Sequence, residues 1–414
     1  MDWNDTPDQR AFREQVRRFV GDRFPEGYRP ETEGELSLEP EDVDGYEWVV
    51  DARSDDPGRR EAAIAWAADL AEKGWIAPSW PEEHGGAGLG VMEEFILHEE
   101  MMRARVPTVN GIGVFLAGPT LLAHGTEEQR RAHLRPIARG EETWAQAFSE
   151  PDFGSDLAGL RTRAEREGDS YVVSGQKVWI SQAQYADWLM LLVRTDPEAS
   201  KPHRGITYLI VDAATPGVTV RPIEDIRGAA PFAEVFLDEV RVPVENRIGE
   251  ENRGFYVAMS TLGYERSGIG SVIRYEQRLR RLIEHVRVEG GGGFLRPDWR
   301  ASIRHEIAQR MIEIRVLYNL ALHSVSEQEA GGAPDVEASI NQLFSAELHQ
   351  RLARTGAKAF GPHAQLWQRS DDAPLGALFT HDLLGSVATT FLGGSAEIQR
   401  NVIATRGLGL PRSQ

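Results

Sequence analysis

The chain has 414 residues, 41% of them hydrophobic and 27% charged, enough for two or three domains around a large core. Its formal net charge of −18 argues against nucleic acid as the main partner, because a phosphate backbone would be repelled. It contains no cysteine, which rules out disulfides, thiolate catalysis and cysteine-based metal sites. The N-terminal residues are polar and acidic, and no apolar run approaches membrane-spanning length, so a cytoplasmic protein without membrane attachment is expected.

Apolar residues at helical spacing (Phe12, Val16, Phe19, Val20) predict a helix over 7–20. Residues 30–56 are acidic and aperiodic and read as a solvated surface excursion. A helix is expected from Arg59 to Lys73, followed by a Gly/Pro-rich loop through Gly90. Further helices are expected over 93–103, over 113–124, and after Thr126, whose hydroxyl suits an N-cap ahead of two glutamates. From 141 to 249 the character changes. Short β-branched runs at 186–193, 205–211, 217–220 and 232–237 are separated by turn residues, which predicts an all-β barrel or sandwich. Helical periodicity returns after Asn252 and persists to the end. The expectation is an α+β multidomain chain, with a helical domain at 1–140, a β-domain at 141–249 and a helical bundle at 250–414.

The most informative stretch runs from Trp144 to Ser181. A strand, Trp144–Phe148, enters a polar turn at Ser149-Glu-Pro-Asp-Phe-Gly-Ser-Asp156, and an alternating segment over 162–175 leads into Trp179-Ile-Ser181. Ser149, Ser155 and the N–H groups around Gly154 are hydrogen-bond donors, and Gly154 permits close backbone approach. Such a turn suits a planar heterocycle carrying a phosphate, with Trp179 available to cover an aromatic face. There is no G-x-G-x-x-G between a strand and a helix, no P-loop, no H-E-x-x-H and no G-x-S-x-G. His98-Glu99-Glu100 lacks a second histidine at helical spacing, so no metal site is expected.

Ser149-Glu-Pro-x-x-Gly-Ser-Asp156 with Trp179-Ile-Ser181 resembles the signature of the acyl-CoA dehydrogenase flavoproteins. The likeness extends over nearly the whole chain, through Gly74-Trp75, Trp80-Pro-Glu82, Ala117-Gly-Pro-Thr120, Val240-Arg-Val-Pro243 and Gly393-Gly-Ser-Ala-Glu397. It implies α,β-dehydrogenation of an acyl-CoA thioester by FAD, with an electron-transferring flavoprotein as acceptor. Many members place the catalytic glutamate directly before the Gly-Ser or Gly-Thr of the C-terminal loop, where this chain has Gly393. A second pattern puts it before an arginine on the first long helix after the β-domain, which here is Glu265-Arg266. Glu265 is therefore the expected base, and the Gly393 N–H the expected holder of the thioester carbonyl. The resemblance further implies Gln146, Phe148, Ser149, Ser155, Trp179, Ser181, Arg287, Gly394, Ser395 and Glu397 as cofactor-facing residues. Ser155 and Arg266 would lie on the CoA side.

Two departures stand out. Asp152-Phe153 replaces the small pair usual in the turn. The adenine-binding segments Arg-x-x-Phe-Gly and Gln-x-x-Gly-Gly are represented by Arg287-Val-Glu-Gly-Gly291 and Lys358-Ala-Phe-Gly-Pro362. Gly361-Pro-His-Ala364 resembles a subgroup of actinobacterial enzymes for bulky acyl-CoAs, some of them heterotetramers. A homodimer or homotetramer is expected, or else a heterotetramer with a related chain. The same residues also allow a half-site subunit without catalysis, or an oxygen-using flavoenzyme on the same fold.

Overall fold

The computed structural model describes residues 5–28, 47–262, 269–288, 297–332, 336–368 and 370–411. Helices come first: α1 (Pro7–Arg23), α2 (Trp48–Asp51), α3 (Pro57–Glu72), α4 (Val91–Ala104), α5 (Gly118–His124) and α6 (Glu127–Ala138). Local chemistry sets their starts. Thr6 and Thr126 each accept the N–H three residues on, while Gln9 and Gln129 reach back to the cap's own N–H. Each pair satisfies two donors that the first turn leaves without partners. Asp56 caps α3 by accepting the Gly58 N–H, without a reciprocal partner, ahead of Pro57 at the first helical position.

The β region is one sheet. Its strands are β1 (Trp144–Ala147), β2 (Arg163–Glu167), β3 (Ser170–Ser181), β4 (Trp188–Arg194), β5 (Ile206–Asp212), β6 (Val218–Ile223), β7 (Phe232–Pro243) and β8 (Arg247–Ile248). They are ordered β6-β7-β3-β2-β4-β5-β8, with β1 added parallel to β4. The alternating segment over 162–175 resolves into a hairpin, turning at Gly168 with φ +64°. Alternation puts Ala145, Tyr171, Val173, Leu191, Leu209 and Val235 into one apolar core. Among the described residues the helices that follow are α7 (Gly254–Thr261), α8 (Ile269–Val288), α9 (Pro297–Glu329), α10 (Val336–Phe360), α11 (Leu378–Gly385) and α12 (Ala396–Val402).

The chain forms two compact units. One holds α2, α3, α5–α7 and the sheet. Here Trp80 lies so close to the start of α5 that a Cβ on Gly118 would meet its ring at 1.7 Å. The other holds α1, α4 and α8–α12, around Phe95, Ile273, Leu282, Leu317, Leu352 and Phe379. In it Arg13 bridges Asp5, Glu99 and Glu100 at 2.6–2.9 Å, so the two nearly buried glutamates of α4 are paired. That pairing is what makes their burial tolerable.

Candidate functional site

The site begins where β3 breaks its ladder. Lys177 pairs with Val235 and Ile180 with Ala233, so Val178 and Trp179 together face the single residue Glu234. This is a β-bulge, and it puts Trp179 at φ +62° with 59% of its surface exposed. A bulky residue in the left-handed region, aimed at solvent, is an uncommon arrangement that the surrounding structure must enforce. Phe232 braces the indole edge-on, with centroids 6.3 Å apart. Two residues on, Ser181 ends the strand exposed. Beyond it Gln182, itself at φ +54°, donates its N–H to Pro231 and its side-chain amide to Glu47.

The polar turn is fastened to the same stretch of β3. The Val178 N–H donates to the Ser149 carbonyl at 3.0 Å. Lys177, fully buried, donates from Nζ to the Phe148 carbonyl at 3.1 Å and to Glu150 Oε1 at 2.9 Å. Glu150 also accepts the N–H groups of Arg161 and Thr162 at 2.7 and 2.8 Å. Burial alone would raise the Glu150 carboxyl. The Lys177 charge and the hydrogen bonds it accepts outweigh that and hold it below the usual carboxylate range. Burial pulls the Lys177 ammonium down to about 8, against the attraction of Glu150. Arg194 supports the far limb of the turn, donating to the carbonyls of Ala158 and Leu160.

Phe148, Ser149, Trp179 and Ser181 thus form one fastened group. Ser155 sits exposed in the turn beyond it. Phe148 is buried with its ring edge-on to Tyr208, leaving its backbone as its polar contribution. Gln146 lies in β1, and its buried Nε2 has no hydrogen-bond partner among the described residues. A buried amide donor without a partner is costly unless a ligand accepts from it.

Arg287, Lys358, Gly393, Gly394, Ser395 and Glu397 belong to the other compact unit. Arg287 is exposed in the last turn of α8. Gly393 and Gly394 have φ of +65° and +98°, in a loop shaped by two glutamine amides: Gln342 donates to the Leu392 carbonyl at 3.0 Å and Gln399 to that of Gly393 at 3.1 Å. Ser395 caps α12, and Glu397 is exposed in its first turn. Lys358 is tied to Glu306 at 2.8 Å. Glu265 and Arg266 lie outside the described residues. No group of three or more His, Cys, Asp or Glu suited to a metal occurs among the described residues. No helix among them is long and apolar enough to cross a membrane.

Sequence reasoning did not single out Lys177, Glu150, Gln342 or Gln399. For Lys177 a signal exists: it continues the parity of the core residues Tyr171 and Val173, where a charge needs a buried partner.

The acyl-CoA dehydrogenase N-terminal, middle and C-terminal domain models match residues 49–141, 145–240 and 252–408. The chain belongs to the acyl-CoA dehydrogenase family. It is 38% identical to the acyl-CoA dehydrogenase IpdE1 of Mycobacterium tuberculosis, covering 86% of this chain and 91% of that protein. It superposes on the Tcur3481-Tcur3483 steroid ACAD with TM-score 0.82 at 29% identity, covering 100% of both chains. The ChsE4-ChsE5 complex from Mycobacterium tuberculosis gives 0.81 at 32% identity, again over 100% of both. Members of the family are flavoprotein oxidoreductases acting on CH–CH bonds, and the order of helical, β-sheet and helical regions is theirs.

Proposed function

We propose that this acyl-CoA dehydrogenase binds FAD and forms the trans-2-enoyl-CoA from a bulky acyl-CoA, with Glu265 as the α-proton base. The observation that carries the FAD reading is the Trp179 bulge fastened to the Ser149 turn, with the unpartnered Gln146 amide on β1. These residues fit the group. Gln146 has a free donor for a ring oxygen or nitrogen, Ser149 and Ser181 have hydroxyls for the ring edge, and Trp179 has an exposed face to cover it. When bound, the flavin supplies the acceptor for the hydride that leaves the β-carbon.

The chain's own residues do the rest. Glu265 takes the α-proton, and a dry pocket would raise its carboxyl toward the basicity that so weak a carbon acid requires. The Gly393 N–H holds the thioester oxygen, where enolate-like charge develops. Gly393 has no carboxylate, so the position that carries the base in many members cannot carry it here. Ser155 and Arg266 are assigned to the CoA side, and Gly394, Ser395, Glu397 and Arg287 to FAD. An electron-transferring flavoprotein is the acceptor on this reading. The bulky class is supported by the steroid ACAD among the similar structures.

One observation favours a second reading for the adenine half. Lys358 stands where the family's adenine-binding glutamine would be, and Glu306 engages it, with Thr355 donating to the same carboxylate at 3.0 Å. A related chain completing that half would make the enzyme heteromeric, as the ChsE4-ChsE5 complex is.

The test is the visible spectrum of the purified chain, then anaerobic addition of an acyl-CoA panel. A yellow protein bleached by one class of thioester is expected, and Glu265→Gln should stay yellow but no longer bleach. Bleaching of that variant at the wild-type rate removes Glu265 from the mechanism. A chain that takes up no FAD alone but turns yellow when co-expressed with a related chain supports the heteromeric reading.

A further inference from the structure

The Lys177–Glu150 pair is expensive by its surroundings. Lys177 is fully buried and Glu150 is 7% exposed, and an apolar pair of similar volume commonly stabilises a fold as well or better. What an apolar pair could not do is tie three separate segments at one point. The ammonium grips the Phe148 carbonyl and the Glu150 carboxylate, and that carboxylate grips the N–H groups of Arg161 and Thr162. The start of the polar turn, its exit and strand β3 therefore meet at a single charged point. The next residue, Val178, holds the Ser149 carbonyl, and the one after is Trp179 in its left-handed conformation.

These distances have a directional consequence. Ser149 follows the carbonyl that Lys177 holds and precedes the carboxylate that it holds, so both flanks of this residue are referenced to one ammonium. Trp179 lies two residues along the chain from the same ammonium. Hydroxyl and indole are thus placed relative to each other by a short rigid path, whatever the rest of the turn does. Charge-assisted hydrogen bonds suit this use, because they are short and directional where apolar contact is not.

We infer that the buried Lys177–Glu150 pair is a positioning element for cofactor binding, setting the Ser149 turn and Trp179 in fixed register so that both address one planar ring. The inference rests on the FAD reading above. Neither residue is catalytic: each acts through Ser149 and Trp179.

The experiment uses the whole chain, with its partner chain if one proves necessary, and two variants. Lys177→Met removes the charge at similar volume. Glu150→Asp keeps the charge but draws the carboxylate back by one methylene, away from the Arg161 and Thr162 N–H groups. FAD dissociation constant, flavin visible spectrum, flavin midpoint potential and quenching of Trp179 fluorescence are read well below each variant's melting temperature. Both variants should bind FAD at least tenfold more weakly, with a shifted potential and weaker Trp179 quenching. A pair that served stability alone would lower the melting temperature and leave spectrum, potential and quenching unchanged, and that result overturns the inference. If Lys177→Met does not fold, Glu150→Asp decides by the same readouts. Failure of the wild type to take up FAD, alone or with a related chain, removes the FAD reading itself. Wild-type binding with unaltered variants removes only this inference.

Discussion

Replacing Trp179 by glycine should separate stability from cofactor binding. At φ +62° a non-glycine residue pays about 1–2 kcal/mol, which glycine does not. Against this stands the lost burial. Trp179 is 59% exposed, so about two-fifths of a side chain that buries 150–250 Å² when covered is in contact with the protein. At about 25 cal/mol per Å² that is about 2 kcal/mol, to which the greater freedom of glycine in the unfolded chain adds about 0.5–1 kcal/mol. Gain and loss nearly offset, and the apo protein should lose no more than about 1–2 kcal/mol, whereas a tryptophan truncated in a core costs about 3–5 kcal/mol. FAD affinity should nevertheless fall on the proposed reading, in which the Trp179 face covers the ring. Denaturant unfolding of the apo protein gives the first quantity and FAD titration the second. A loss above about 3 kcal/mol with unchanged FAD affinity would show that Trp179 is a packing residue and that the reasoning from the bulge is wrong.

Ser181→Ala should bind FAD with a modestly altered visible spectrum, and a spectrum and rate identical to wild type would place this hydroxyl away from the ring. Gly118→Ala should destabilise the chain by about 1–3 kcal/mol or more in denaturant unfolding, because its Cβ would sit 1.7 Å from the Trp80 ring; wild-type stability would mean that Trp80 has room to move. His98 offers a pH test, since burial pulls it from 6.5 to about 4. Between those values the unfolded chain holds a proton that the folded chain lacks, so this contribution is complete above pH 6.5. It shrinks by up to about 3 kcal/mol as pH falls to 4. His98→Gln should flatten that part of the stability curve, and identical wild-type and variant slopes would show that His98 takes up its proton in the folded state.

Much of this protein is legible in its sequence because the signals are local. Helical spacing around Val16, the Thr126 cap and the short β-branched runs after Glu141 each depend on a few adjacent residues, and each became the element expected there. The dehydrogenase likeness is also a matter of short ordered motifs, Ser149 to Asp156 and Trp179 to Ser181, and their spacing survives without knowledge of the fold. The proposal of Glu265 as the base rests on such a motif alone.

Other features arise only when distant segments meet. The bulge at Val178 and Trp179 exists because β7 offers one residue against two, and a strand's own sequence does not specify its partner's register. The Lys177–Glu150 pair joins residues 27 apart, and strand parity turns Lys177 inward without naming the counter-ion that meets it there. Likewise α1 and α4 fold into one compact unit with the C-terminal helices, although the whole β region separates them in sequence. Periodicity tells a helix which face to bury but not against what. The sequence by itself therefore determined most of the elements, the family and the motif residues, but not α2, which buries Trp48 and Asp51 within a stretch that reads as a solvated excursion. The tertiary structure decided which side chains those motifs turn outward and what holds them there, because that depends on long-range packing and on charges that are stable only when paired out of water.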